Sequence, residues 1–411
     1  MKTIIIFILC FAALSAFGQT SGSPDQSVRT GYSDFEIVES IPIETTLDNA
    51  DIRNTHEVWI EMINGAKKAL DIEQFYVSPQ KGEPLDDIIT AIIAAGERGV
   101  AIRFIVDARM YKTYPETVDM LGKQKNISVR IIDFGKLLGT GVQHAKYFIV
   151  DGEEIFLGSQ NFDWRALKHI HELGVRIRHA EAVKIYSDIF DYDWQLAEHN
   201  KLFPAERQQY PTSFTIKYPS NEQLTFIPTM SPRNLIPDEE LWDEKHIVPL
   251  IDSAKKEVVL QFLSYSPIGR DKSFYSVLEN SLRRAAARGV DVRMIVSDWE
   301  KDHPTVDYLK SLTLIPNIDV KFSVIPEWSG GYIPFARVEH CKYICADASS
   351  FWLGTSNAEK SYFYTSRNLG VIVHNNKLAS NIHRIFTKSW DGPYMEEIKP
   401  EIEYTPRKHN E

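Results

Sequence analysis

The sequence predicts an α/β fold made of two similar lobes related by a pseudo-twofold axis, each with a mixed sheet flanked by helices. The first reason is an internal repeat whose unit is nearly half of the 411 residues. The second is the alternation of apolar strand-like runs with helix-like segments, which is typical of sheets covered by helices. The third is length, because a single hydrophobic core rarely grows beyond about 250–300 residues.

The repeat is carried by short polar motifs at identical spacing. Each position of the motif around His144 recurs 196 residues later, around His340. Upstream, the segment 98–103 (RGVAIR) parallels 288–293 (RGVDVR) at a slightly smaller offset. The paired positions are His144 and His340, Lys146 and Lys342, Asp151 and Asp347, Ser159 and Thr355, Asn161 and Asn357, and Glu172 and Asn368.

Helices and strands are predicted in the same order in both halves. Periodicity in the first half predicts a helix over 54–69, a strand over 70–77, a helix from Pro84 through Glu97 and a strand over 100–106. A further strand over 142–150 carries the first motif. The second half is predicted to contain a helix before Lys255, a strand over 258–264, a helix over 273–288 and a strand over 290–296.

Proline content predicts the domain boundaries. Six prolines among polar residues in 204–237 predict a linker. It separates a first lobe over 39–203 from a second lobe over 238–392, and a tail over 393–411 follows.

The N-terminus has the pattern of a secretory signal. Lys2 precedes an apolar run of eleven residues from Ile4 to Leu14, and small residues lie near Gly18. A membrane-spanning helix needs about 20 apolar residues, so this run is too short for an anchor. We therefore expect a signal peptide over 1–18 and a secreted, periplasmic or lumenal protein without a membrane span after signal removal.

Charge and cysteine content exclude other classes of protein. With 46 Lys and Arg against 56 Asp and Glu, the net charge is −10, which argues against wholesale electrostatic binding to nucleic acid or anionic membrane. The net charge does not exclude a local basic cleft. Cys341 and Cys345 would lie about 13 Å apart on one strand, too far for a disulfide, so we expect two small buried side chains.

The motif residues suit phosphodiester chemistry. His144 and Lys146 share one face of the predicted strand, because side chains alternate with period two, and the same holds for His340 and Lys342. Packing of the lobes about the axis would bring both pairs into one pocket. One neutral imidazole can attack phosphorus while the other, protonated, gives its proton to the leaving oxygen.

Positive charge and amide donors complete this set. The two lysines, with Asn161 and Asn357, would hold the phosphate oxygens as charge develops. Because the lysines supply the charge that a metal ion would bring, the chemistry requires no metal or other cofactor.

The doubled pattern His-x-Lys-x4-Asp, at 144–151 and 340–347, resembles the paired HKD motifs of the phospholipase D superfamily. The segments 157–165 (LGSQNFDWR) and 333–338 (IPFARV) are similar to the phospholipase D3/D4 group, which includes 5′ exonucleases on single-stranded nucleic acid. The resemblance implies two α/β halves with one active site between them and a two-step displacement through a phosphohistidine. We expect the enzyme to be a monomer.

The resemblance also implies residue roles. His144 and His340 would be nucleophile and general acid, in an order that stays open, with Lys146 and Lys342 on the phosphate. Unlike Glu172, Asn368 can fix a tautomer but cannot stabilise an imidazolium, which leaves the equivalence of the two half-sites open. The remaining roles are phosphate contacts from Asn161, Asn357, Ser159 and Thr355, orientation of the histidines by Glu172 and Asn368, and structural support from Asp151 and Asp347.

Three functions remain open on the sequence. The first is an exported phosphodiesterase that acts as a 5′ exonuclease on single strands. The second is a phospholipase D or phosphatidyltransferase, and the third is a non-catalytic protein that binds a phosphate ligand. The loop 328–332 (WSGGY) either contacts a base or an acyl chain, or is a surface loop whose aromatic side chains face the core.

Overall fold

The computed structural model describes residues 34–217, 222–269 and 271–406, so the predicted signal peptide over 1–18 lies outside the described residues. No helix in these three ranges combines the length and the apolar character that crossing a membrane requires.

Two large mixed sheets, of eight and nine strands, organise the chain, and helices flank both. The predicted α/β class is therefore confirmed. The first lobe contains strands β1 Phe35–Ser40, β2 Arg53–Asn54, β3 Ala69–Gln74, β4 Val77–Ser78, β5 Ala101–Asp107, β6 Ile127–Ile132, β7 Tyr147–Val150, β8 Glu154–Gly158, β9 Phe162–Asp163 and β10 Glu172–Arg178. Its helices are α1 Thr55–Gly65, α2 Pro84–Glu97, α3 Ala108–Tyr111, α4 Glu116–Leu121, α5 Phe134–Leu138 and α6 Ala180–His199.

The second lobe repeats this content. Its strands are β11 Phe214–Lys217, β12 Gln223–Ser231, β13 Glu257–Phe262, β14 Tyr265–Ser266, β15 Asp291–Ser297, β16 Ile318–Ser323, β17 Tyr343–Ala346, β18 Ser350–Gly354, β19 Ala358–Glu359, β20 Asn368–His374 and β21 Met395–Glu397. Its helices are α7 Asp243–Ser253, α8 Val277–Ala287, α9 Thr305–Thr313, α10 Lys360–Tyr364 and α11 Asn376–Trp390, with short 3-10 turns at Arg233–Leu235, Glu239–Leu241 and Asp298–Lys301.

The two lobes share the same order of central strands. Six strands of the first sheet run in the order β10-β8-β7-β3-β5-β6, and six of the second in the order β20-β18-β17-β13-β15-β16. In each sheet, three parallel strands adjoin antiparallel ones. The sequence repeat therefore corresponds to a structural repeat.

Helix α2 forms where the apolar periodicity of the sequence predicts it. It spans Pro84–Glu97, the bounds that its periodicity predicts, with proline in the first turn. Its apolar stripe, which includes Leu85, Ile88 and Ile92, is fully buried. The stripe packs in a core with α1 and one face of the first sheet.

The segment predicted as a linker contains two strands of the second sheet. Within 204–237, β11 and β12 pair with each other, and β12 continues along β20. Pro228 lies in β12 beyond the last residue paired with β11, where a missing N–H is tolerated. The tail also contributes, since β21 pairs with β16. Proline content therefore marks an edge hairpin here, and the second lobe begins earlier and ends later than composition suggests.

The strand predicted over 142–150 is regular only from Tyr147, as β7. The preceding residues form hydrogen bonds with the second lobe instead of extending the ladder of their own sheet. The His144 N–H donates to Arg367 O at 2.9 Å, and the Arg367 N–H donates to Val142 O at 3.0 Å. The first motif is thus built into the contact between lobes.

Helix α6 packs between the two lobes. The hydroxyl of its residue Tyr186 donates to Gly370 O of the second lobe at 2.9 Å. Its apolar residues join one core with those of β20 and α11. Cys341 and Cys345 are both free and buried, as expected.

Candidate active site

Each histidine of the two motifs is held by a side chain of the opposite lobe. Nδ1 of His144 lies 3.1 Å from Oδ1 of Asn368. Nδ1 of His340 lies 2.8 Å from Oε2 of Glu172. Both imidazoles are more than nine-tenths buried. Glu172 and Asn368 begin equivalent strands, β10 and β20, so the pseudo-twofold axis produces the crossed arrangement.

The amide of Asn368 has a fixed orientation. Its Nδ2 donates to Tyr362 O at 2.9 Å and to Ser366 O at 3.3 Å, which turns Oδ1 towards the imidazole. Oδ1 therefore accepts a hydrogen bond from the Nδ1–H group of His144, and Nε2 keeps its lone pair. Burial and the ammonium groups of Lys146 and Lys342 lower the pKa of His144 well below its ordinary value. The lowered pKa favours a neutral imidazole for His144, with the lone pair on Nε2.

The Glu172–His340 pair has different electrostatics. Burial raises the pKa of Glu172 to about 8. Burial, Lys342 and Lys146 lower the pKa of His340 well below its ordinary value. Both shifts favour the neutral pair, in which the carboxyl group donates to Nδ1 of His340 and the ring proton lies on Nε2. The pair as a unit holds one proton that it can release.

The two lysines lie beside the histidines and are completely buried. Nζ of Lys146 donates to His144 O at 2.5 Å, and Nζ of Lys342 donates to His340 O at 2.7 Å. Burial lowers the pKa of Lys342 to about 8, and burial with the charge of Lys342 lowers the pKa of Lys146 well below its ordinary value. Both shifts disfavour the charged forms, so an anionic ligand between the two lysines would restore their ammonium forms and bind favourably.

Asn161 and Asn357 lie beyond the ends of β8 and β18 and are almost completely buried. The Oδ1 atom of each has no hydrogen-bond partner among the described residues. A buried acceptor without a partner is costly, and a ligand or water that donates to it would remove that cost. Phosphate oxygens only accept, so the predicted contact with phosphate would use the Nδ2 donors of these side chains and not Oδ1.

The hydroxyls of Ser159 and Thr355 are directed elsewhere. Ser159 accepts from the Leu173 N–H at 3.1 Å. Thr355 accepts from the Leu369 N–H at 3.1 Å and donates to Oδ1 of Asn368 at 2.9 Å. Both residues are completely buried and engaged in holding β10 and β20. Their geometry differs from the expected phosphate contact and is that of positioning groups.

Asp151 and Asp347 each bind a turn that precedes a central strand. The Asp151 carboxylate accepts three consecutive backbone N–H groups, from Lys67, Lys68 and Ala69, at 2.7–3.0 Å. Asp347 does the same with the backbone N–H groups of residues 255–257. Both lie at the far end of the strand from the imidazoles, as the expected structural role requires.

Replacing Asp151 with alanine should lower the free energy of unfolding by about 1–3 kcal/mol, because three backbone donors lose their acceptor. Chemical denaturation at neutral pH measures this change. Backbone hydrogen bonds depress the pKa of this carboxyl despite partial burial. The stabilisation is therefore present above its ordinary pKa and is lost as the pH falls through the depressed value. A difference from the wild type that persists in strong acid would contradict this explanation.

Two buried ion pairs behind the site were not singled out from the sequence. Nδ1 of His171 lies 2.7 Å from Oε2 of Glu339, with both side chains completely buried. The His171 backbone carbonyl accepts from the His340 N–H at 2.9 Å. On the other side Arg367 pairs with Asp193, again completely buried, and its carbonyl accepts from the His144 N–H. Each pair therefore fixes the segment that carries one histidine.

A signal for these pairs exists in the sequence. His171 and Arg367 are 196 positions apart and directly precede Glu172 and Asn368.

His171, Glu339 and Cys341 place ligand-type atoms within 4.8 Å of one another. The hydrogen bonds that Glu339 accepts from His171 and from the Cys341 N–H account for this grouping.

Aromatic rings line the site around His144. Phe75 and Tyr362 present their rings at 5.0 and 4.8 Å from the imidazole, both in edge geometry. Trp328, in the loop whose role the sequence left open, packs inward against His169 at 5.0 Å. In the same loop region Tyr332 and Phe335 are 39% and 44% exposed.

The chain is similar in sequence and in fold to known proteins. Residues 59–194 and 247–390 match the family described as cardiolipin synthase, PLD-like domain. The chain is 31% identical to phospholipase D Z of Dictyostelium discoideum, over 96% of this chain and 98% of that protein. It is 29% identical to the 5'-3' exonuclease PLD3 of Bos taurus, over 96% of this chain and 86% of that protein. A solved phosphatidylserine synthase of Haemophilus influenzae shares the fold, with a TM-score of 0.59 at 14% identity over 84% of this chain and 85% of its own.

A two-lobed fold with paired histidines and lysines between the lobes defines a phosphodiesterase. The chain belongs to the phospholipase D superfamily, which confirms the resemblance of its motifs.

Proposed function

We propose that this phosphodiesterase works through a phosphohistidine on His144 and removes nucleotides from an end of single-stranded nucleic acid. The observation that carries the mechanism is the asymmetry of the crossed pairs. His144 faces a neutral amide, whereas His340 faces a carboxyl group that holds a releasable proton. Only the second histidine is equipped as an acid.

In the first step Nε2 of His144 attacks phosphorus and forms a P–N bond. The P–O bond to the leaving group breaks, and its electron pair stays on the leaving oxygen. That oxygen takes the proton from Nε2 of His340, and the proton of Glu172 moves to Nδ1 of the ring. Lys146 and Lys342 stabilise the charge on the phosphate oxygens.

In the second step His340 acts as a base. Its Nε2, now without a proton, accepts one from a water molecule, and the water oxygen attacks phosphorus. The P–N bond breaks, and its electron pair returns to Nε2 of His144. The proton on Nδ1 of His340 returns to Glu172 and the phosphate product leaves, which regenerates the free enzyme.

The relatives support two substrate classes. The likeness to the 5'-3' exonuclease PLD3 over 96% of this chain supports single-stranded nucleic acid and cleavage from the 5′ end. The likeness to phospholipase D Z supports phospholipid as the second candidate. The predicted signal peptide supports export, so the substrate would be met outside the cytosol.

The test uses residues 19–411 in excess EDTA with a single-stranded oligonucleotide labelled at one end, and the His340→Ala variant as control. We expect stepwise shortening that is absent in the variant and that weakens steeply with salt. Wild-type protein that leaves strands intact but hydrolyses phosphatidylglycerol or phosphatidylcholine vesicles would favour the phospholipid candidate. Tight substrate binding with no turnover on either would favour the non-catalytic alternative.

The rate should fall as the pH rises through about 8. Above this pH the Glu172–His340 pair loses its releasable proton, and Lys342 loses its positive charge, because the pKa values of Glu172 and Lys342 are both about 8. We expect kcat/KM on an oligonucleotide to drop at least about tenfold over the next one to two pH units. A pH profile measures this, and a rate that still rises at pH 9.5 would contradict the assignment.

A further inference from the structure

An exposed aromatic residue stands close to His340 along the chain. Phe335 precedes His340 by five residues, a distance of at most about 18 Å, and its side chain is 44% exposed. The intervening backbone runs beside the first lobe, since the Arg337 N–H donates to His169 O and the His340 N–H donates to His171 O, both at 2.9 Å. Phe335 therefore lies within about 18 Å of His340, on the segment that leads into the second motif.

The backbone holds Phe335 in an unfavourable conformation. Its φ angle is 60°, in the left-handed region that bulky residues rarely adopt. Nη1 of Arg165 donates to Pro334 O at 3.1 Å and fixes the turn from the first lobe. Burial does not explain this strain, because nearly half of the Phe335 side chain is exposed. Strain at an exposed side chain points to a binding role.

Two further side chains make the ring part of a rigid surface. The guanidinium of Arg165 lies 6.0 Å from the centre of the Phe335 ring, and the Trp299 ring lies 6.3 Å away at 72°. Arg165 is itself fixed by Asp163, at 2.6 and 2.9 Å. Burial, Lys342 and Lys146 lower the pKa of His340, and the carboxylates of Glu339 and Asp163 partly oppose this shift. We call Arg165, Trp299 and Phe335 the rim platform.

We propose that the rim platform stacks a nucleobase of the single strand on the leaving-group side of the scissile phosphate. The proposal rests on the proposed function. The platform lies on the side of His340, the residue that protonates the leaving oxygen. An aromatic face backed by a guanidinium is a typical surface for bases of any sequence.

Net charge gives stacking a particular importance here. At −10, the protein attracts a polyanion poorly over its surface, so affinity must come from local contacts. Base stacking provides such affinity without added positive charge. A phospholipid headgroup has no aromatic face to stack, and a choline cation would meet the Arg165 guanidinium beside the ring, so the platform favours the nucleic-acid candidate.

The experiment compares Phe335→Leu with Phe335→Tyr in the full chain. Leucine keeps an apolar side chain of similar size without the aromatic face, and tyrosine keeps the face. Substrates are single-stranded oligonucleotides, either intact or with one abasic residue at each of the first four positions from either end. We expect Phe335→Leu to raise KM on intact strands roughly 5- to 100-fold with little change in kcat, and Phe335→Tyr to behave like the wild type.

The abasic strands separate stacking from other effects. At the position whose base the platform stacks, wild type and Phe335→Leu should have equal KM, because the base is already missing. Equal KM values on intact strands, or a loss in Phe335→Leu that is the same with and without the base, would overturn the platform alone. Wild-type protein that neither cleaves nor binds any strand would instead overturn the proposed function and the platform with it.

Discussion

Replacing His144 with alanine should abolish turnover, with kcat reduced about 10⁴- to 10⁶-fold, because the variant has no atom to accept the phosphoryl group. With a p-nitrophenyl phosphodiester, this variant should release no rapid burst of p-nitrophenolate. The nucleophile assignment follows from the neutral imidazole that Asn368 orients at 3.1 Å. Stopped-flow absorbance measures the burst.

His340→Ala should behave differently on the same ester. A p-nitrophenolate leaving group needs no proton, so the first step should still release about one equivalent per active site. The second step should then stall, because no base activates water. His303→Ala, at a histidine that is 51% exposed, serves as the control and should match the wild type. A burst in His144→Ala and none in His340→Ala would reverse the two roles.

Replacing Arg367 with alanine should lower the free energy of unfolding by about 3–5 kcal/mol, since it leaves the buried carboxylate of Asp193 without its partner. Arg367 binds this carboxylate at 2.6 and 2.8 Å. It also donates to Ser231 O and Leu235 O, both at 2.9 Å. Activity should fall as well, because the Arg367 carbonyl holds the His144 segment. Chemical denaturation and steady-state kinetics measure the two effects.

The double variant Arg367→Met with Asp193→Leu tests the cause. Removing both charges leaves no unpaired carboxylate at position 193, so most of the lost stability should return. Kinetic recovery is expected to be smaller, because the carbonyls of Ser231 and Leu235 still lack their donor. A double variant as unstable as Arg367→Ala would show that the ion pair is not the source of the loss.

The sequence repeat predicted the fold well because the two halves of the chain form the same arrangement of strands. The alternation of strands and helices follows from local periodicity, and α2 has the predicted bounds for this reason. The convergence of His144, Lys146, His340 and Lys342 followed from the repeat together with a pseudo-twofold axis. These conclusions needed no knowledge of how the lobes pack in detail.

The contacts between lobes could not be predicted in the same way. The partner of His144 is 224 positions away and that of His340 is 168 positions away, so spacing within one motif does not reveal them. The same limit applies to Arg367 and Asp193, 174 positions apart. Ser159 and Thr355 resemble phosphate ligands by residue type, but the strands that they join engage their hydroxyls. Prolines in 204–237 suggested a linker. The prediction was wrong because an edge strand can contain proline without loss of sheet pairing.

The covalent mechanism is tested most directly by locating the phosphoryl group on the protein. His340→Ala would be mixed with the p-nitrophenyl phosphodiester, quenched in alkaline denaturant and digested for mass spectrometry. We predict an adduct on His144 in stoichiometric amount, and none in His144→Ala. Release of p-nitrophenolate without any covalent adduct, or an adduct on a residue other than His144, would contradict the mechanism.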